Sequence, residues 1–170
     1  MSVAYGHPAP GMSTIFFPAT GLHLRYRCDP LGHQIVVTDE AGEVVRVFGG
    51  FGRKVGTLDT PLDLVFVRPE FGGERLPVDS ADAVWVAVAD YGNRRVQVFE
   101  LDGSLVGTFA TDGPDGAVWT PTGLAWRSPV LEIDGIEGAR TAVHLSAALL
   151  SGGTAITGRG RLLPRSEARH

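Results

Sequence analysis

Cysteine is nearly absent: Cys28 stands alone among 170 residues, so no internal disulfide can form. A small buried hydrophobe is the reading its type favours over a nucleophile. Long apolar runs are missing too, and no stretch approaches the roughly 18 apolar residues that a membrane-spanning helix needs. The opening MSVAYGHPAPGMSTIFF lacks a basic start followed by a long apolar run, so no secretory signal is read and a cytoplasmic location is the expectation. An excess of one charge is also wanting. Nineteen acidic against 15 basic residues leave a net charge of −4, which gives no bulk electrostatic pull toward nucleic acid or anionic membrane. The five histidines, His7, His23, His33, His144 and His170, never fall at the i, i+2 or i, i+4 spacing that nominates a metal site. No Gly-x-Ser-x-Gly elbow occurs. No catalytic residue, metal or cofactor is therefore assigned.

What is present suits an all-β chain. The 23 glycines and 11 prolines exceed an ordinary share and imply many turns, while 44% hydrophobic and 20% charged residues are those of a folded domain. The most informative stretch is Val84 to Phe109, VWVAVADYGNRRVQVFELDGSLVGTF. Val84, Val86 and Val88 alternate with Trp85, Ala87 and Ala89, all apolar, so this strand is expected to be buried on both faces. Asp90-Tyr-Gly-Asn93 breaks the run, Val96 and Val98 resume it, and Asp102-Gly103 predicts a type I′ hairpin with positive φ at both central residues. Leu105 to Phe109 returns as the last strand of an antiparallel meander.

Internal echoes extend the pattern. Pro18-Ala-Thr-Gly-Leu22, Pro61-Leu-Asp-Leu64 and Pro121-Thr-Gly-Leu124 mark three units. Asp63 stands where the other two copies have glycine, which puts the second unit's first strand in question. Aligning Asp39 on Asp90 and Phe48 on Phe99 predicts a repeat of 51 residues between the first two units. On that alignment Gly42 replaces Asn93 and Val44 replaces Arg95, so the first turn must be held another way. The Gly49 to Gly56 loop carries Arg53 and Lys54 but lacks the Gly-Lys-Ser/Thr of a phosphate loop, and reads as a connector. Residues 71–77 read as an inserted loop. Val130 to Ile133 and Ala142 to Leu145 read as strands of a divergent third unit, and residues 147–153 as a short helix or a frayed strand.

Val88-Ala-Asp-Tyr-Gly-Asn-Arg-Arg-Val-Gln-Val-Phe99 followed by Asp102-Gly103 resembles the core of an NHL repeat, the blade of a family of six-bladed β-propellers. The resemblance is strong over about one blade and implies antiparallel four-stranded blades in an incomplete ring. The implied organisation is an irregular lead-in over 1–14, blades over 15–136 opening at Pro18, Pro61 and Pro121, a divergent partial blade over 137–158 and a disordered tail over 159–170. A fragment, copies that self-associate to complete a ring, and a decayed reading frame all accommodate so few blades.

The resemblance also orders the polar residues. Asp90, Asn93, Arg95 and Gly103 form the turn motif: Asp90 is expected to accept backbone N–H bonds across its turn, Asn93 to take the left-handed conformation, and Arg95 to bond carbonyls or carboxylates of the neighbouring blade. Tyr91, expected to be the best exposed aromatic, joins Arg94, Arg53 and Lys54 as the candidate binding surface. The expected function is a non-catalytic scaffold that binds a protein partner or small ligand through its loop face. One alternative is a metal-dependent hydrolase or lyase centred on a propeller channel. The other is single-stranded RNA binding by Arg46, Arg53, Lys54, Arg94 and Arg95, with Tyr91 or Phe51 stacking on bases.

Overall fold

The computed structural model describes residues 5–9, 11–17, 21–68, 84–110, 120–127, 129–138 and 140–145. Three antiparallel sheets follow one another along the chain. The first is β1 (Tyr5–Ala9), β2 (Met12–Phe17), β3 (Leu22–Asp29), β4 (Gln34–Thr38) and β5 (Val44–Gly49), in that order. The second is β6 (Pro61–Val67), β7 (Trp85–Asp90), β8 (Arg95–Glu100) and β9 (Leu105–Ala110). The third is β10 (Pro121–Arg127), β11 (Val130–Gly135) and β12 (Arg140–His144). The all-β expectation holds, and the described sheets do not close into a ring. The Pro18 marker, the loop 71–77, the segment 147–153 and the tail 159–170 lie outside the described residues.

The second sheet is the centre of the molecule because β7 is apolar at every position but its last. All six of its residues are buried. Val84, just before the strand, joins Val86 and Val88 in packing toward the first sheet, with Leu24, Tyr26, Ile35, Val37, Leu64, Phe66 and Phe99. Trp85, Ala87 and Ala89 pack with Val96 and Val98 against Leu124, Leu131, Ile133, Val143 and Leu145 of the third-sheet region. Burying each such valine or leucine contributes about 1.5–3 kcal/mol, so a strand covered on both faces is among the most stabilising in the chain.

Strand pairing corrects the expected repeat. Tyr26 pairs with Val37 as Ala87 pairs with Val98, and Ile35 pairs with Phe48 as Val96 pairs with Phe109. The bulge between Val37 and Thr38 recurs between Val98 and Phe99. His33 and Arg94 both hold positive φ, at 54° and 52°. These pairs share an offset of 61 residues, not 51. Asp29 is thus the counterpart of Asp90, and Asp39 that of Glu100. Asp39 imitated Asp90 in sequence because both aspartates end a strand and a phenylalanine follows each at the same distance.

With this register the packing is head to tail. Leu24, Tyr26, Ile35 and Val37 face the second sheet, and their counterparts Trp85, Ala87, Val96 and Val98 face the third. The hairpins match as well. The Asp39 N–H bonds the Glu43 carbonyl and the Gly42 N–H the Asp39 carbonyl, as Glu100 N–H bonds Ser104 and Gly103 N–H bonds Glu100. Each is a three-residue loop ending in a left-handed glycine, Gly42 (φ 82°) or Gly103 (φ 94°). Asp102 has no positive φ, so the turn is not type I′; the bulge absorbs the extra residue.

Two further expectations change. The lead-in over 1–14 is not irregular: it contains β1 and the start of β2. Pro8 is tolerated because β1 is an edge strand, and Gly11, with φ 73°, turns the chain between them. Nor does Asp63 spoil β6. Its buried carboxylate accepts N–H bonds from Gly11 (2.9 Å) and Leu64 (2.9 Å) on Oδ1, and from Leu124 (2.8 Å) on Oδ2. One side chain therefore holds backbone from all three sheets. Cys28 packs at the edge of the same core, where burial and the Asp63 charge push its thiol pKa up, away from the reactive thiolate.

Candidate functional site

The polar turn after β7 is built around Asp90, which is fully buried. Its carboxylate accepts no backbone N–H from its own turn. Oδ1 accepts the Asp59 N–H at 2.7 Å, on the connector 50–60 that links the first sheet to the second. Oδ2 accepts Asn93 Nδ2 (2.9 Å), Arg95 Nε (2.7 Å) and Gln97 Nε2 (3.1 Å). Each of those three donors then reaches the connector itself. Asn93 Nδ2 donates to the Gly52 carbonyl at 2.8 Å, and Gln97 Nε2 to the Thr57 carbonyl at 2.6 Å while its Oε1 accepts the Gly56 N–H at 2.8 Å. Arg95 donates to the carbonyls of Arg53 (2.9 Å), Lys54 (2.9 Å) and Thr57 (2.8 Å).

This arrangement is a clamp. A loop with four glycines in the stretch GGFGRKVG has many conformations to lose, and four side chains of the second sheet fix its carbonyls and amides instead. Leu58, fully buried, anchors the same loop in the core. At Gly92 the backbone donates to the Asp59 carbonyl (2.7 Å), and a Cβ there would collide with the Asp59 carboxylate. Only glycine fits.

Arg95 bonds as expected of it, and its side chain, 13% exposed, is committed to the clamp. The left-handed residue is Arg94, with φ 52° and ψ 46°, not Asn93. Asn93 sits in a 3-10 turn over Tyr91–Asn93, because its amide is required over Gly52. Arg94 is exposed, as are Arg53 and Lys54, whereas Tyr91 is half-buried. The bare aromatic of this edge is Phe51, 71% exposed and resting on the His33 ring at 4.7 Å. Arg46 bonds the Leu101 carbonyl (2.8 Å) at the far end of β8, so the five cations expected to gather do not.

The two loops singled out as contact surfaces do meet. Arg53 from the connector and Arg94 from the turn line one open depression with Gly92, Asn93 and Arg95, of about 380 Å³. Gln97 was legible only as part of the motif; its signal is a lone amide in a strand whose flanking valines are both buried. In the first sheet the clamp is reduced. Asp29 accepts the Gly32 N–H and Gln34 Nε2, each at 3.1 Å, and these two bonds, the Gly32 one foremost, hold its carboxyl below the usual range. Asp39 holds its own turn through the N–H groups of Ala41 (2.9 Å) and Glu43 (3.0 Å).

No protein-family model matches the chain, and no curated protein matches it. Among the described residues no three His, Cys, Asp or Glu side chains gather as metal ligands would, and no helix is long and apolar enough to cross a membrane.

Proposed function

We propose that the chain is a non-catalytic module of NHL-type propeller architecture that binds a protein partner through its loop edge. The 61-residue repeat, the head-to-tail order of the sheets and the Asp90–Asn93–Arg95–Gln97 clamp support the architecture. The observation that carries the binding reading is the meeting of Arg53 and Arg94 in one depression on loops whose backbones are pinned from beneath. Pinned loops lose little entropy on binding, so exposed guanidiniums held there favour a carboxylate-bearing segment.

The test is fluorescence anisotropy with a labelled Glu/Asp-rich peptide and a Ser/Gly-rich control. The acidic peptide is expected to bind the wild type at low salt and to weaken at least tenfold with Arg53→Glu/Arg94→Glu, the melting temperature unchanged. Equal binding by both proteins, or none by either, overturns the reading. Single-stranded RNA ranks second because Arg46 and Arg95 are engaged elsewhere. An oligouridine that binds more tightly than the acidic peptide would reverse that order.

A further inference from the structure

On their central strands, β3 and β11, the two outer faces of the three-sheet stack differ in chemistry from the faces buried inside it, although Val36 and Val47 beside β3 stay apolar. The second sheet presents Val84, Val86 and Val88 to the first. At the corresponding places, 61 residues earlier, the first sheet carries His23, Arg25 and Arg27 on its outer face. At the other end, β10 pairs with β11 as β6 pairs with β7: Ala125 opposes Glu132 as Val65 opposes Ala87, and Gly123 opposes Asp134 as Asp63 opposes Ala89. Glu132 and Asp134 thus stand where the second sheet has Ala87 and Ala89, the residues that receive the third sheet.

Polarity alone would suit the ends of a stack that meets water. The signs say more. One end carries two arginines on a single strand, beside His23, which Glu40 meets at 3.5 Å, and the other carries two carboxylates on its central strand. The head-to-tail order within the chain would, if continued, bring these two strands together. Arg127 and Arg140 meet Glu132 and Asp134 from the flanking strands at 3.6 and 3.1 Å, but the arginine side chains are 73% and 61% exposed. The Arg140–Asp134 pair, exposed on both sides, is weak, and its carboxylate can accept from a second donor.

We infer that a second copy of this chain docks head to tail, laying the His23–Arg25–Arg27 face of one molecule on the Glu132–Asp134 face of the next. The contact is heterologous, so it closes into a ring if the rotation from sheet to sheet permits and otherwise extends into longer assemblies. It does not depend on the loop-edge reading, since Arg53 and Arg94 take no part in it.

Sedimentation equilibrium of the full chain tests this at about 0.02 M and about 0.5 M salt, because ion pairs between exposed faces are screened. Masses at two or more times the chain mass are expected at low salt, falling toward the monomer at high salt. Arg25→Glu/Arg27→Glu alone and Glu132→Lys/Asp134→Lys alone should each be monomeric, with unchanged melting temperatures. An equimolar mixture of the two variants should associate again, because every docking then joins opposite charges. A wild type that stays monomeric at low salt up to the highest soluble concentration overturns the inference, and so does association that neither variant disturbs. Arg53→Glu/Arg94→Glu should assemble as the wild type does, which separates this contact from the loop edge.

Discussion

Exchanging Asp90 for asparagine replaces one carboxylate oxygen by an NH2 group and should unfold the clamp as effectively as a much larger change. Oδ1 would still accept the Asp59 N–H. The new amide, however, would face three donors, Asn93 Nδ2, Arg95 Nε and Gln97 Nε2, with no acceptor among them. Arg95 loses its counter-charge while remaining 13% exposed, and keeps the carbonyls of Arg53, Lys54 and Thr57. Stranding a buried donor costs about 1–3 kcal/mol and breaking a buried pair about 3–5 kcal/mol. The retained carbonyls favour the low side of the second range, so about 3 kcal/mol is expected. For a chain of this size that lowers the melting temperature by about 6–12 °C. Calorimetry gives the shift, and hydrogen exchange should show the amides of Gly56 and Asp59 losing protection first. An Asp90→Asn protein melting within about 2 °C of wild type would mean that the buried carboxylate is not what holds the connector.

Two other perturbations read different parts of the fold. Burial raises the Tyr26 phenol to about 12, from 10.0. Below pH 10 both folded and unfolded chains keep the proton; between pH 10 and 12 the unfolded chain releases it first, so stability falls across that window by about 2–3 kcal/mol. Tyr26→Phe should lose about 1 kcal/mol at neutral pH with its bond to the Leu101 carbonyl, and flatten that alkaline decline relative to wild type in urea titrations. Parallel curves for the two proteins would contradict this. Gly103→Ala should cost about 2–4 kcal/mol, since φ is 94° and the new Cβ would stand 2.8 Å from Phe48 Cβ. A urea midpoint like that of the wild type would disprove the crowding.

Much of the fold was legible because β7 alternates two complete sets of apolar residues, and burial on both faces is the one arrangement that uses them. The Arg95 bonds to a neighbouring unit were legible for a related reason: a guanidinium beside a buried strand needs several acceptors. The repeat length was not. Asp39 and Phe48 match Asp90 and Phe99 in type, while the true counterparts of the clamp, Gln34 for Arg95 and Val36 for Gln97, have lost the chemistry that would mark them. Backbone conformation kept the equivalence that side chains gave up, with His33 and Arg94 still left-handed. The position of Arg94 and the half-burial of Tyr91 depend on Asn93 reaching Gly52, a contact 41 residues away that no local pattern encodes.

Stacked repeats that touch only their neighbours can fray from either end, each unit melting nearly on its own. Asp63 works against such peeling. It sits in the middle sheet, and its two oxygens bind the Gly11 amide on one side and the Leu124 amide on the other, so the outer sheets share an acceptor although neither lies beside the other. Glycine suffices at the same place in the first and third units, Gly11 opposite Cys28 and Gly123 opposite Asp134, each of which has a neighbour on one side only. A carboxylate there labels the unit flanked on both sides, and couples the loss of either outer sheet to the loosening of the other.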